Sequence, residues 1–197
     1  MSVFNIDNSC AFIDELKNKI GYDVILFGLD NMSYYGLLQD IDSSNIATLV
    51  PAILSASGLV EIQNPAEVSA ALNTVSIELC SIISFGYDIT ADPFVLPDDN
   101  AEDVPPQEEV TVSAQPCINL DCKCDPDGLI DKLIESQQLI AVSTLGGFIF
   151  AGNIKSLQHR LLKLIPEYIF APGGDGSTLF SIGKVVINLE AATAVGS

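Results

Sequence analysis

Gly21–Leu49 reads GYDVILFGLDNMSYYGLLQDIDSSNIATL, and Gln137–Ile165 reads QQLIAVSTLGGFIFAGNIKSLQHRLLKLI. A shift of 116 residues lays one on the other without a gap, placing Val24 on Ile140, Asp30-Asn31 on Gly146-Gly147, Gly36 on Gly152 and Ile41 on Leu157. An internal repeat sets the architecture before any local reading does. Both blocks are apolar runs suited to strands. In each, a dipeptide that tolerates positive φ separates two runs, as a two-residue hairpin turn requires. Gly36 and Gly152 fall inside the second run, where glycine marks a bulge or a sharp bend.

The repeat extends outward from these blocks. Upstream, Phe12, Ile13, Leu16 and Ile20 recur at helical spacing, as do Leu129, Ile130, Leu133 and Ile134. Ser9 and Asp127 are the matching cap residues. Downstream, Thr74–Phe85 (TVSIELCSIISF) resembles Thr178–Leu189 (TLFSIGKVVINL), which puts Cys80 in a fourth or fifth strand. The expected fold class is therefore mainly β: two small five-stranded barrels, each preceded by a short helix. The first copy is expected to carry an insertion, Ser55–Asn73, with a short helix after Pro65, where the second has the plain turn PGGDG at 172–176. Between the copies, DPFVLPDDNAEDVPPQEEV is rich in proline and carboxylates and reads as a linker or extended arm. Val95, Val110 and Val112 alternate enough with polar neighbours to add to a sheet edge. The division is 1–87 for the first helix and barrel, 88–126 for the acidic linker, and 127–197 for the second helix and barrel.

Charge narrows the partners. The 197 residues are 48% hydrophobic but only 17% charged, with a net charge of −18; soluble domains average roughly 25% charged residues. A surface this poor in charge is either polar and uncharged or covered by other chains. Residues 1–122 hold two basic and 19 acidic side chains, whereas 123–197 hold six and seven. Nucleic acid binding needs cations that displace counterions from phosphates, so DNA is excluded as a partner and RNA is disfavoured. No run of apolar residues is long enough to span a bilayer. Asn5, Asp7 and Asn8 interrupt the start, and no basic n-region precedes it, so synthesis in the cytoplasm without a signal peptide is expected.

The helix followed by strands reading V-x-L, x-G-x-L, D-x-x-N and L resembles the Sm-like fold, a five-stranded SH3-type barrel. The matching residues are Val24, Gly36, Leu38, Asp42, Asn45 and Leu49, with Ile182–Ile187 similar to the fold's closing motif. Tandem barrels of this kind are similar to those in spore-associated proteins of Gram-positive bacteria. The resemblance implies the fold and a tendency to assemble. RNA-binding members read a base with an Asp/Asn pair and an Arg-Gly pair. The first copy has Asp42 and Asn45 but Glu78-Leu79 in place of Arg-Gly; the second has Gly183 but only Leu157 and Arg160-Leu161.

No catalytic constellation emerges, and no cofactor or metal is expected. His159, the single histidine, lies in a turn-like stretch, KSLQHRLLK. Asp40 and Asp42 share a strand face beside a turn, where they are solvated. Asp121–Gly128 resembles a calcium loop only until its ligand positions fall on Lys123 and Ile134. CINLDCKC spaces Cys117, Cys122 and Cys124 unlike a zinc site. Two readings of the thiols stay open: reduced bystanders in a cytosolic protein, or disulfides between chains in a compartment that turns oxidising after synthesis, such as a spore surface. For the second, Cys10, Cys117, Cys122 and Cys124 are the candidates.

The leading expectation is a non-catalytic, self-assembling structural protein, a homo-oligomer or polymer of a spore surface or extracellular filament, with barrels polymerising through strand edges that few Lys defend and cysteines cross-linking chains. The alternative is a cytosolic Sm-like module forming a ring or pseudo-ring and binding a peptide, small ligand or RNA, with Lys155, Arg160 and Lys163 contacting the anion.

Overall fold

The computed structural model describes residues 6–64, 67–94, 139–172 and 181–196. The expected second helix and residues 95–126 of the expected linker, with Cys117, Cys122 and Cys124, lie outside the described residues; residues 88–94 are described, with β7 running on to Ile89 and Phe94 packing against the core. The chain is mainly β. Helix α1 (Ile6–Lys17) precedes β1 (Asp23–Gly28), β2 (Ser33–Ile41), β3 (Ile46–Val50), β4 (Val60–Asn64), β5 (Glu67–Leu72), β6 (Val75–Glu78) and β7 (Ile82–Ile89). The second half supplies β8 (Ile140–Thr144), β9 (Ile149–Gln158), β10 (Leu161–Phe170), β11 (Ile182–Asn188) and β12 (Ala192–Gly196).

The repeat is visible in the backbone. Asn31 (φ 65°) and Gly147 (φ 75°) take the same left-handed position in the first turn of each half. Gly36 and Gly152 sit where the next strand crosses closely: a Cβ would lie 2.8 Å from the Val50 carbonyl oxygen in one case and 2.2 Å from that of Ile165 in the other. A 3-10 turn, Leu79–Ser81 in one half and Leu189–Ala191 in the other, links the fourth strand to the fifth. The N–H groups of Leu29 and Leu145 bond Ser81 and Ala191 at 2.8 Å in both.

Several expectations are corrected. Instead of two closed barrels, the strands form one continuous sheet in the order β12-β8-β9-β10-β11-β7-β1-β2-β3-β6. Each half contributes its strands in the same relative order, and antiparallel β7–β11 pairing joins the halves. The stretch after Pro65 is strand β5, because pairing with β4 from Val60↔Leu72 to Asn64↔Glu67 overrides the helix preference of its alanines. The first half's extra length interrupts its third strand. β3 and β4 both pair with β2, as the unbroken β10 pairs along β9, and residues 51–59 loop out between them. Helix α1 begins before Ser9, which is therefore inside it rather than capping it. Cys80 lies in the 3-10 turn, not in a strand, and the alignment of Thr74–Phe85 with Thr178–Leu189 is six residues out of step with the matched turns. Runs of alternating apolar residues match equally well at neighbouring even shifts. Only the turn fixes the register.

Two clusters form the core, and they are joined through the seam. The first half's interior packs Leu16 of α1 with Val24, Leu26, Leu38, Leu49 and Phe85. The second half's interior packs Val142, Phe150, Leu164 and Ile187, and it also takes in Ile25, Phe27, Tyr35 and Ile83 from the first half. Phe27 meets Phe148 and Phe150 edge to face, each at a centroid distance of 5.1 Å. Burying such a side chain contributes about 1.5–3 kcal/mol, so the halves hold one another together.

Gly146 lies at this contact. A Cβ there would stand 2.4 Å from the Gly28 carbonyl oxygen and 2.8 Å from Ile83 Cδ1. Gly146→Asp, which installs the residue of the matching turn, is expected to cost about 1–3 kcal/mol. A urea titration should show a lower midpoint at unchanged slope.

Candidate functional site

Two of the second half's cations meet the first half across the β7–β11 seam. Lys163 on β10 pairs with Glu15 of α1 at 2.7 Å, and Lys184 on β11 pairs with Asp88 of β7 at 2.5 Å. Lys19 stands 4.0 Å from the Tyr87 ring centroid and Lys184 5.5 Å. Arg160 bonds Glu190 at 3.1 Å, and Lys155 is exposed on β9. Two of the three candidate anion contacts, Arg160 and Lys163, thus already face carboxylates. A phosphate at either would have to compete with its carboxylate partner.

The residues of the Sm-like pattern hold turns. The Asp42 carboxylate accepts from the N–H groups of Ser44 (2.8 Å) and Ile46 (2.9 Å). Asn45 adopts φ 60°, and its carbonyl accepts the Leu79 N–H at 3.0 Å. In the second half Arg160, at φ 57°, accepts the Leu189 N–H at 3.0 Å in the same way. Asn188-Leu189 is therefore the counterpart of Glu78-Leu79, and Gly183 lies further back in β11. His159 and Arg160 form the two-residue turn between β9 and β10 with both φ values positive.

A cavity of about 450 Å³ opens beside both 3-10 turns. Its floor is apolar, with Phe12, Leu79 and Ile83, and Glu78 and Glu190 lie on its wall. Among the described residues no group of three or more His, Cys, Asp or Glu side chains is placed to hold a metal ion. A second polar cluster fastens the 51–59 loop. Asp23 accepts from the N–H groups of Ile53 and Leu54, Asp92 from those of Ala56 and Phe94, and Glu61 from the hydroxyls of Ser55 and Ser57. These bonds satisfy loop backbone that would otherwise be unpaired. Cys80 is exposed in its 3-10 turn, and Cys10 lies on α1.

Sequence reasoning expected exposed strand edges short of defending Lys, but it did not identify which strands would form them among the described residues. Among the described residues β12 pairs only with β8, β6 only with β3, and β5 only with β4. The signal was present in the composition of these strands. β12 (ATAVG) has no charged residue and β6 (VSIE) has one, Glu78, whereas edges are commonly guarded by Lys or Pro.

No protein-family model matches the sequence, and no curated protein matches it. Among solved structures, an Sm protein of Pyrococcus abyssii in complex with a uridine heptamer is similar, with a TM-score of 0.31 and 15% identity over 37% of this chain and 92% of that chain. Among the described residues no helix is long and apolar enough to cross a membrane.

Three tyrosines near the seam and the loop report on these contacts. Burial pushes the Tyr34 phenol well above its ordinary value of 10.0, and its hydrogen bond to Asp30 adds to the shift. Burial raises Tyr35, reinforced by the charges of Asp23, Asp92 and Glu61. Burial also raises Tyr87, against the opposing pull of Lys163 and Lys184. A folded phenol raised in this way keeps a proton that the unfolded chain releases above pH about 10. Stability is therefore undiminished by these groups below that pH and falls as pH rises beyond it. Tyrosinate absorbance should show these three of the five tyrosines titrating late, together with unfolding. Three early, reversible titrations would contradict the packing.

Proposed function

We propose that this chain is a non-catalytic, self-assembling structural protein built from two Sm-like halves, joining copies head to tail through the open ends of its sheet. The observation that carries this reading is the strand order. Inside the chain, the fifth strand of the first half (β7) pairs with the fourth strand of the second (β11). Among the described residues, what remains unpaired on the outer side is the fourth strand of the first half (β6, with β5 beside β4) and the fifth strand of the second (β12). The two ends are thus complementary to each other, and each is different from itself. Such a heterologous contact closes into a ring or runs on as a filament, according to the rotation it imposes.

The cysteines at 10, 117, 122 and 124 would cross-link neighbours in this reading, and a spore surface or extracellular filament is the setting that suits uncharged edges with oxidisable thiols. The net charge of −18 works against association. The Debye length shrinks from about 10 Å at 0.1 M salt to about 3 Å at 1 M, so screening should favour assembly.

Sedimentation velocity and negative-stain electron microscopy across protein concentration and salt test the proposal. Larger species are expected at higher concentration and at higher salt, with reductant-sensitive multimers on gels. A monomer under all these conditions would overturn it.

A further inference from the structure

Residues 51–59 have no counterpart within β10, which runs unbroken along β9, whereas β3 and β4 are separated by this loop. Within the loop, backbone bonds run only from the Ser55 N–H to Ala52 and from the Gly58 N–H to Ser55, both at 3.3 Å. The other anchors are carboxylates. Asp23 of β1 accepts the Ile53 N–H on one oxygen (2.9 Å) and the Leu54 N–H on the other (3.1 Å). Asp92 divides its oxygens in the same way between Ala56 (2.7 Å) and Phe94 (2.9 Å). Glu61 of β4 takes the Ser55 and Ser57 hydroxyls on one oxygen, at 2.7 and 2.6 Å. The repeat matches Asp23 with Leu139, so the half without the loop also lacks this acid.

Beneath the loop lies a polar group with no partner. Tyr35 of β2 is fully buried in the cluster that holds Ala52 and Phe94, with the Phe94 ring edge to face at 5.9 Å. Its hydroxyl finds no hydrogen-bond partner in the protein, and the charges of Asp23, Asp92 and Glu61 bear on it. Burying an unsatisfied hydroxyl costs free energy that an open loop would recover from water. Among the described residues no Lys or Arg forms an ion pair with any of these three carboxylates. Lys19 lines a cavity together with Asp23, Tyr22, Tyr87 and Asp88, but it stands over the Tyr87 ring. Lys184, the other cation near Tyr87, is paired with Asp88. The closed loop is therefore held by hydrogen bonds to charged acceptors, which are stronger than those to neutral ones, against an orphaned phenol.

We propose that residues 51–59 form an acid-released strap: a proton on Asp23 or Asp92 loosens the loop from Tyr35 while the sheet beneath stays folded. Protonation turns one acceptor oxygen into an O–H donor. Each proton thus removes one of two bonds and the charge that strengthens the other. The sheet does not need the loop, because β3 and β4 each pair with β2 through their own ladders. The strap works within one chain, whether or not copies associate.

Hydrogen exchange of the full-length chain, read by mass spectrometry over residues 51–59 and over β10 and β11, tests this. After correction for the intrinsic pH dependence of exchange, loop protection should fall on acidification while that of β10 and β11 holds. Asp23→Asn and Asp92→Asn each keep one acceptor oxygen and lose the charge. At neutral pH each should lower loop protection by about ten- to a hundredfold, the worth of a hydrogen bond to a charged group. Parent-like protection in both variants would overturn the proposal, as would loss of protection in the loop, β10 and β11 together at one pH.

A third variant covers failure of the Asn variants to fold. Tyr35→Phe removes the orphaned hydroxyl and none of the bonds that hold the loop, so loop protection should rise. Protection equal to or below that of the parent would overturn the opposition between the latch and the buried phenol on which the strap depends.

Discussion

Strands β1 and β7 are buried on both faces, and the rest of the molecule depends on that. Val24 and Leu26 point into the first half's interior, while Ile25 and Phe27, their alternating neighbours, point into the second's. β7 does the same with Phe85 on one side and Ile83 on the other. A strand with two dry faces cannot be the outer wall of a separate domain. Its second face is stable only under the second half, and the second half's core, open along one side, is completed only by that face. The β7–β11 ladder satisfies the backbone groups along the line where the two meet. Glu15–Lys163 and Asp88–Lys184 lie at its margins, where partial exposure keeps such pairs weak. Apolar burial and the ladder therefore carry the seam, and the ion pairs fix its alignment.

Repetition made the fold legible in part. The Asp30-Asn31 and Gly146-Gly147 turns, the two glycines at the strand crossings and the helix containing Phe12, Ile13 and Leu16 all lie where the sequence places them. These features have a local cause, a backbone angle or a close approach that few residues permit. What stayed hidden is set by distant partners. VILF at 24–27 is continuous rather than alternating, the mark of a strand covered on both faces, yet nothing nearby names the cover. EVSAAL joins a sheet because β4 offers an edge. The fourth and fifth strands slipped by six residues because alternation repeats every two; the Leu79 and Leu189 turns that anchor them carry no glycine or proline to mark them.

The candidate site followed the same division. His159 was legible as a turn residue because turn chemistry is local, whereas Asp42, expected on a strand face with Asp40, stands just past β2 and holds the turn. Open edges were expected in general, but which strands form them was not legible, since an edge is defined by what fails to pair with it across the whole sheet. Nor were the roles of Arg160 and Lys163, whose partners Glu190 and Glu15 are remote in sequence.

The charge asymmetry of the chain takes on a different meaning at this point. An acidic first half and a cation-bearing second half suggest attraction between copies, but the two lysines that face the first half, Lys163 and Lys184, do so within the chain. The position matching Lys184 is Thr74, and Phe27 and Ile25 are matched by Ser143 and Ala141. The seam inside the chain carries large side chains and ions and is part of the core. Contact between copies would rest on the backbone of strand edges while the net charge holds them apart. In the proposed assembly this balance would make association sensitive to concentration and ionic strength.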